Sequence, residues 1–186
     1  MSIENYIKVY PVIKDPQILS KCIRFLNKKF KDKRFEEGAL WTGKGSYHDK
    51  KVRDVQILPL VNTSESMSEV HWCNFLSGFI LEGVKQYAAE FPDIRQATVI
   101  DIQALRYEKG GHYKFHVDDG PGMNRKYSAI LMLNNDYEGG ELCFKLEDKE
   151  LVITNKPGHL IVWPSNFMFP HKVQPLQKGT RYSIVS

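Results

Sequence analysis

Residues 103–118, Gln-Ala-Leu-Arg-Tyr-Glu-Lys-Gly-Gly-His-Tyr-Lys-Phe-His-Val-Asp, hold the reading that decides the fold, and their chemistry sits at the end, in His116-Val117-Asp118. Side chains along an extended strand repeat with period 2, so His116 and Asp118 project to one face while Val117 points away. One imidazole and one carboxylate can then reach the same metal ion. A third ligand would complete the two-histidine, one-carboxylate facial triad, which leaves half of an octahedron open. The pair alone is a common chance occurrence, so the rest of the chain must support it.

Upstream of this stretch the sequence reads as scaffold. An apolar run from Ile7 to Ile13 is a strand candidate. Asp15-Pro16 follows, an N-cap and a proline suited to the first helical position, and Ile18, Leu19, Cys22, Ile23, Leu26 and Phe30 then recur at helical spacing. We expect a helix from Pro16 to about Phe30. A polar, glycine-bearing segment around Gly38, Gly43 and Gly45 carries Trp41 and Tyr47, with Lys44, Lys50, Lys51 and Arg53 beside them; it suits a mobile loop or hairpin that grips a substrate, although Trp41 could equally pack on the core. Val52 to Val61 reads as one strand. After a Ser- and Thr-bearing linker that supplies helix caps, a long helix is expected from about Glu69 to Phe91, stopped by Pro92.

Downstream the character changes to short strands: Thr98 to Tyr107, His112 to His116, Tyr127 to Asn134, Glu141 to Leu146, His159 to Trp163, Val173 to Pro175 and Arg181 to Val185. Between them stand Gly110-Gly111, Asp119-Gly120-Pro121-Gly122, Gly139-Gly140, Pro157-Gly158 and Lys178-Gly179. Short strands with glycine and proline turns after a helical first half predict an α+β chain with a mainly β core, a jelly roll (double-stranded β-helix) backed by N-terminal helices. We expect one domain over 1–186, with 1–97 as helical support and substrate-loop region and 98–186 as the catalytic core.

Bulk properties narrow the class further. The chain's 186 residues suffice for a core without disulfides, and a net charge of +4 is too small to argue nucleic-acid binding. Three cysteines, Cys22, Cys73 and Cys143, have no metal or disulfide spacing and suggest a reducing compartment. With no leader pattern at the N-terminus and no long apolar run, a cytoplasmic protein without a membrane partner is the expectation. The number of subunits is not legible.

Only His159 and His171 follow Asp118. His159 leaves a turn, where a polar residue usually faces solvent, whereas His171 enters a strand after Pro164-Ser165-Asn166-Phe167-Met168-Phe169-Pro170; His171 is the expected third ligand. Arg181 stands on a strand of apolar and hydroxyl residues. A guanidinium among core-facing residues is costly unless it meets an anion, and its planar fork matches a carboxylate; taken alone, Arg181 also reads as an exposed strand residue. Ser183, two residues on, shares its face.

The ordered set Arg106-Tyr107, Gly110-Gly111, Tyr113, His116-x-Asp118, Arg125, Leu131-x-Leu133-Asn134, Tyr137-Glu138-Gly139-Gly140-Glu141-Leu142, Pro157-Gly158, Trp163-Pro164-Ser165, His171-x-Val173 and Gly179-Thr180-Arg181-Tyr182-Ser183 resembles the Fe(II)/2-oxoglutarate-dependent dioxygenases of the prolyl 4-hydroxylase type, including bacterial PKHD-type hydroxylases. The likeness covers about Thr98 to Ser186. It implies an enzyme in which His116, Asp118 and His171 bind Fe(II) and Arg181 holds the distal carboxylate of 2-oxoglutarate, assisted by Ser183 or Thr180 and by Tyr113. Dioxygen is consumed, succinate and CO2 are released, an unactivated C–H of a peptidyl-proline is hydroxylated, and ascorbate is a candidate reductant. In a regular strand Tyr113 and His116 lie on opposite faces, so a bulge or bend is needed to aim Tyr113 inward. Arg125 matches a substrate-contacting arginine, and the segment holding Trp41, Tyr47 and Arg53 matches a loop that closes over the peptide. In the family the chain commonly runs on into a tryptophan after the Arg-Tyr-Ser strand, whereas this sequence ends at Ser186.

A protein or peptide substrate is therefore expected and nucleic acid is not. The same chemistry on a free amino acid, another side chain or a nucleobase is the alternative, the last kept open by Trp41 and Tyr47 among basic residues. A non-catalytic metal-binding jelly roll would have no use for Arg181.

Overall fold

A computed structural model describes residues 2–41, 44–91, 98–99, 101–120, 125–147 and 149–186. Gly43, Pro92 and Pro121-Gly122, read above as turn or stop signals, lie outside the described residues.

Among the described residues two α-helices form where the sequence predicts them. Helix α1 spans Pro16–Lys31: Asp15 caps it by accepting from the Gln17 amide at 2.8 Å, Pro16 opens it, and Lys28, Lys29 and Lys31 sit in its last turn, where cations suit the helix dipole. Helix α2 spans Met67–Glu90. Its N-cap is Ser66, but that hydroxyl makes no capping bond; it accepts from Lys29 Nζ at 2.8 Å instead.

The remaining chain makes two main antiparallel sheets. A seven-stranded sheet has the order Lys8–Pro11, His159–Pro164, Tyr127–Met132, Arg181–Val185, Gln103–Tyr107, Gln56–Pro59, Glu36–Glu37. A five-stranded sheet has the order Lys149–Ile153, Leu142–Leu146, His171–Val173, His112–His116, Arg53–Asp54. Alternation along the larger sheet splits its side chains between two cores. Ala129, Leu131, Leu160, Val162, Tyr182 and Ile184 pack against both helices, while Ile130, Met132, Ile161 and Trp163 meet Leu142, Phe144 and Leu146 of the smaller sheet. Arg181 and Ser183 alternate with Tyr182 and Ile184, so they face the space between the sheets.

Several sequence expectations need correcting. The expected strand over 52–61 is two strands in different sheets, Arg53–Asp54 and Gln56–Pro59, with buried Val55 at the crossing. The expected strand from Thr98 begins only at Gln103, and the one at Val173 to Pro175 is His171–Val173 followed by a separate strand, Leu176–Lys178. Lys149–Ile153, unforeseen because it opens on Lys-Glu, is an edge strand that pairs along the whole of Leu142–Leu146.

The helices are tied by a buried charge cluster. Lys29 Nζ lies 2.8 Å from Glu69 Oε1, Ser64 donates to Oε2 at 2.6 Å, and Arg34 reaches both oxygens. Burial pushes the Glu69 carboxyl up, but hydrogen bonds from Lys29, Ser64 and Arg34 outweigh it and hold it down at about 2, against an ordinary 4.5. A depressed carboxyl stabilises the fold above its unfolded-state pKa, and this contribution is lost as pH falls from about 5 towards 2. We expect Glu69→Gln to cost about 3 kcal/mol at pH 7, since it strands Lys29 in the interior, and to flatten the acid limb of the stability curve. Urea unfolding of both proteins at pH 7 and pH 3 checks this.

Candidate metal centre and active site

The smaller sheet carries His116 at the end of one strand and His171 at the start of its neighbour, and the two pair directly in register. Asp118 follows two residues beyond His116. Ligand-capable atoms of all three lie within 4.8 Å of one another. Asp118 Oδ1 is 3.6 Å from His116 Nε2 and Oδ2 is 3.5 Å from His171 Nε2, too long for strong hydrogen bonds and suited to atoms sharing a partner between them.

Each imidazole is oriented by its own backbone. His116 Nδ1 lies 2.8 Å from the Lys114 carbonyl and His171 Nδ1 lies 3.1 Å from that of Phe169. A carbonyl only accepts, so Nδ1 carries the proton and Nε2 offers its lone pair to the shared point. Burial is the main cause that pushes both imidazoles below their ordinary value, His116 to about 3, so both are neutral at pH 7. Burial alone would raise the Asp118 carboxyl, yet His171, His116 and the Ser128 hydroxyl together hold it below the usual range. Two neutral imidazoles and one carboxylate, converging on one point, fit Fe(II).

The sequence argument that aimed Tyr113 away from His116 meets a register slip. His171 pairs with His116 but Val173 pairs with Tyr113, so the His112–His116 strand carries one residue more than its partner. This extra residue brings Tyr113 onto the side of His116, where the rings stack with centroids 3.5 Å apart. The Arg53 guanidinium lies over the Tyr113 ring, 4.6 Å from its centroid, and donates to the Ala39 carbonyl. Arg53 Nε is buried without a partner among the described residues.

Arg181 is 0% exposed and faces no carboxylate among the described residues. Nη1 donates to Ser183 Oγ at 3.1 Å, Nη2 lies 3.7 Å from Met132 Sδ, the Tyr137 hydroxyl hydrogen-bonds the guanidinium, the Tyr107 ring stands 5.1 Å from the guanidinium carbon, and Nε has no partner among the described residues. Behind it Gly139 and Gly140 run at positive φ, +76° and +71°. A Cβ on Gly140 would come within 2.8 Å of Leu176 and 3.2 Å of Arg181 Cδ, so only glycine lets that backbone close against the arginine. A buried cation with an orphaned donor is the counterpart of an absent anion. Tyr107, Tyr137 and Met132 around it, and Ser128 behind Asp118, were assigned no role from sequence; their signal is at most a polar or polarizable residue at an inward strand position.

The other foreseen residues fall as follows. Arg125 bonds both carboxylate oxygens of Asp101 at 2.9 Å through Nη2, close enough to Asp118 and His171 to act on their protonation. Trp41 and Tyr47 lie on a two-stranded hairpin, Leu40–Trp41 with Ser46–Tyr47, and are 59% and 47% exposed, so Trp41 is not a core residue. His159 bonds the Pro157 carbonyl and His112 that of Gly110; neither joins the ligand cluster.

Residues 102–186 match the sequence profile of the 2OG-Fe(II) oxygenase superfamily. A PKHD-type hydroxylase of Picosynechococcus is 29% identical over 174 residues, 90% of this chain and 73% of that protein, and one of Idiomarina loihiensis is 29% identical over 110 residues, 57% of this chain. The chain spans only 50% of the Idiomarina relative and 42% of one from Gloeothece citriformis. Among solved structures, a Trichoplax adhaerens prolyl hydroxylase in complex with a peptide fragment superposes with a TM-score of 0.80 at 16% identity, over 97% of this chain and 82% of that one. A Pseudomonas putida prolyl-4-hydroxylase gives 0.72 at 17%, over 97% and 90%. The ligand cluster and the buried arginine both fall inside the segment that matches the 2OG-Fe(II) oxygenase superfamily, and the chain is similar to PKHD-type hydroxylases.

Proposed function

We propose that the chain is an Fe(II)- and 2-oxoglutarate-dependent dioxygenase that hydroxylates a peptidyl-proline. The observation that carries this reading is that His116, Asp118 and His171 share an interior with Arg181, a fully buried cation lacking an acidic partner among the described residues. A plain metal-binding module has no need of such an arginine. We read the strands of the two sheets that fall within 98–186 as the halves of a jelly roll, with 1–97, which adds outer strands to both sheets, as its support and substrate-loop region in one domain.

When bound, Fe(II) would activate dioxygen, the oxidant of the reaction, with one oxygen atom ending as the substrate's hydroxyl and the other in the succinate that forms, with CO2, as 2-oxoglutarate is oxidised. His116, Asp118 and His171 would hold the ion. Arg181, with Ser183 steadying one Nη, would take the distal carboxylate through its remaining N–H groups. The Tyr113 hydroxyl would assist Arg181 at that carboxylate, while its ring, stacked on His116, would hold the imidazole's plane. Arg53, over the same ring, would meet the substrate's backbone carbonyls, and Trp41 and Tyr47 would close on the peptide.

A protein or peptide substrate is supported by the Trichoplax relative's complex with a peptide. Three free, buried thiols suit a reducing, cytoplasmic setting, and among the described residues no helix is long and apolar enough to cross a membrane. Succinate release with Fe(II), ascorbate and a panel of proline-containing peptides tests the assignment; a peptide that accelerates release and gains one oxygen atom identifies the substrate class. Arg125→Ala is expected to raise the peptide KM about tenfold while sparing peptide-independent turnover of 2-oxoglutarate. Equal loss of both would remove Arg125 from the substrate surface.

A further inference from the structure

Asp118 lies two residues past the end of its strand, so no ladder hydrogen bond aims its side chain. What fixes it comes from the opposite sheet. Ser128 Oγ is 2.5 Å from Asp118 Oδ2, and Ser165 Oγ is 2.9 Å from Ser128 Oγ. Both serines are interior residues, 3% and 2% exposed. Ser128 pairs in register with Trp163, whose ring stands 4.9 Å from that of His171, so the hydroxyls and the indole line one wall of the site.

The direction of these bonds is dictated by chemistry. An ionised carboxylate only accepts, so the single hydrogen of Ser128 goes to Asp118, and the Ser128 oxygen must accept from Ser165. Each bond polarises the next, and the bond to the charged oxygen is the stronger for it. Oδ2 therefore has a lone pair committed to Ser128, while Oδ1, facing His116, has no hydrogen-bond partner among the described residues.

A carboxylate bound through one oxygen takes one position on an octahedral ion; bound through both, it takes two. With two imidazoles the first arrangement leaves three open positions and the second leaves two. From this we infer that Ser128, backed by Ser165, is a positioning residue that keeps Asp118 on the metal through one oxygen and so preserves the third open position. The inference rests on the metal-site reading above. The effect belongs to Ser128 because, among the described residues, it alone hydrogen-bonds the oxygen that would otherwise turn onto the ion.

The test is the count of metal-bound waters, from water-proton relaxation of the Mn(II)-loaded protein without cosubstrate. The intact protein is expected to show three, Ser128→Ala a fall of about one third, and Ser128→Thr, which keeps the hydroxyl, the full count. Ser165→Ala, which leaves Ser128 its bond to Asp118 but removes the donor behind it, is expected to shift the relaxation in the same direction by less. An unchanged count in a folded Ser128→Ala protein overturns the inference. If Ser128→Ala fails to fold in metal-free thermal melts, Ser165→Ala decides it, and a value equal to that of the intact protein is the overturning result. Failure of the metal reading looks different: the intact protein then binds no Mn(II), or binds it no better than Asp118→Ala, and both readings fall together.

Discussion

Arg181→Met is expected to fold at least as stably as the intact protein while losing affinity for 2-oxoglutarate by about two to four orders of magnitude. The two halves have one cause. Arg181 is wholly buried, its Nε bonds nothing among the described residues, and the partners it has there, the Ser183 and Tyr137 hydroxyls and the Met132 thioether, are all neutral. A charge left so poorly compensated is a standing cost to the fold, and an apolar side chain of similar length beside Met132 and Leu176 relieves it. Hydrogen bonds to a charged group contribute about 1.5–3 kcal/mol each, so losing a bidentate pair removes about 3–6 kcal/mol of binding, or roughly 10² to 10⁴ in Kd. Thermal melts without ligand and calorimetric titration of the Mn(II)-loaded protein with 2-oxoglutarate measure both. Arg181→Met that is strongly destabilised, or that binds 2-oxoglutarate as well as before, would show that the arginine serves the core and not a cosubstrate.

Asp118→Ala carries the second large effect. It removes the one anionic member of the ligand cluster and leaves two neutral imidazoles, which hold a divalent ion far less firmly. Peptide-stimulated succinate release is expected to fall by about three orders of magnitude or more. The metal-free fold should change little, because the carboxylate's own interior burial is removed along with its bond from Ser128. Should the intact protein bind metal yet release no succinate with any peptide, the enzymatic reading fails and a binding module takes its place.

The ligand triad was legible because its logic is local: period 2 joins His116 to Asp118, and the seven residues from Pro164 to Pro170 bring the chain back into a strand at His171. Arg181 was legible only through the resemblance, since a lone arginine on a strand reads equally as an exposed residue. Helix α1 was readable almost to the residue from Asp15-Pro16 and its apolar stripe. What escaped depends on pairing across distance. Lys29 interrupts that stripe and is acceptable only because Glu69 waits on another helix. The break at Val55 reflects which sheet each half of the segment joins. Ser128 sits in Tyr-Ser-Ala-Ile-Leu-Met as an isolated hydroxyl, and nothing in that strand says that a carboxylate ten residues earlier will face it. The hairpin aromatics were foreseen, but whether Trp41 would be covered required the fold.

The extra residue between Tyr113 and His116 bears on how such sites are spelled. An aromatic three positions before the first ligand reaches the ligand's side only when the strand bulges; in an unbulged strand the same stack needs the aromatic two positions before. Tyr-x-x-His and Tyr-x-His are thus two ways of writing one geometry, separated by a single-residue deletion. A motif search that fixes the spacing would divide proteins that share the same ring-on-ring contact, and an alignment that closes the gap would join them.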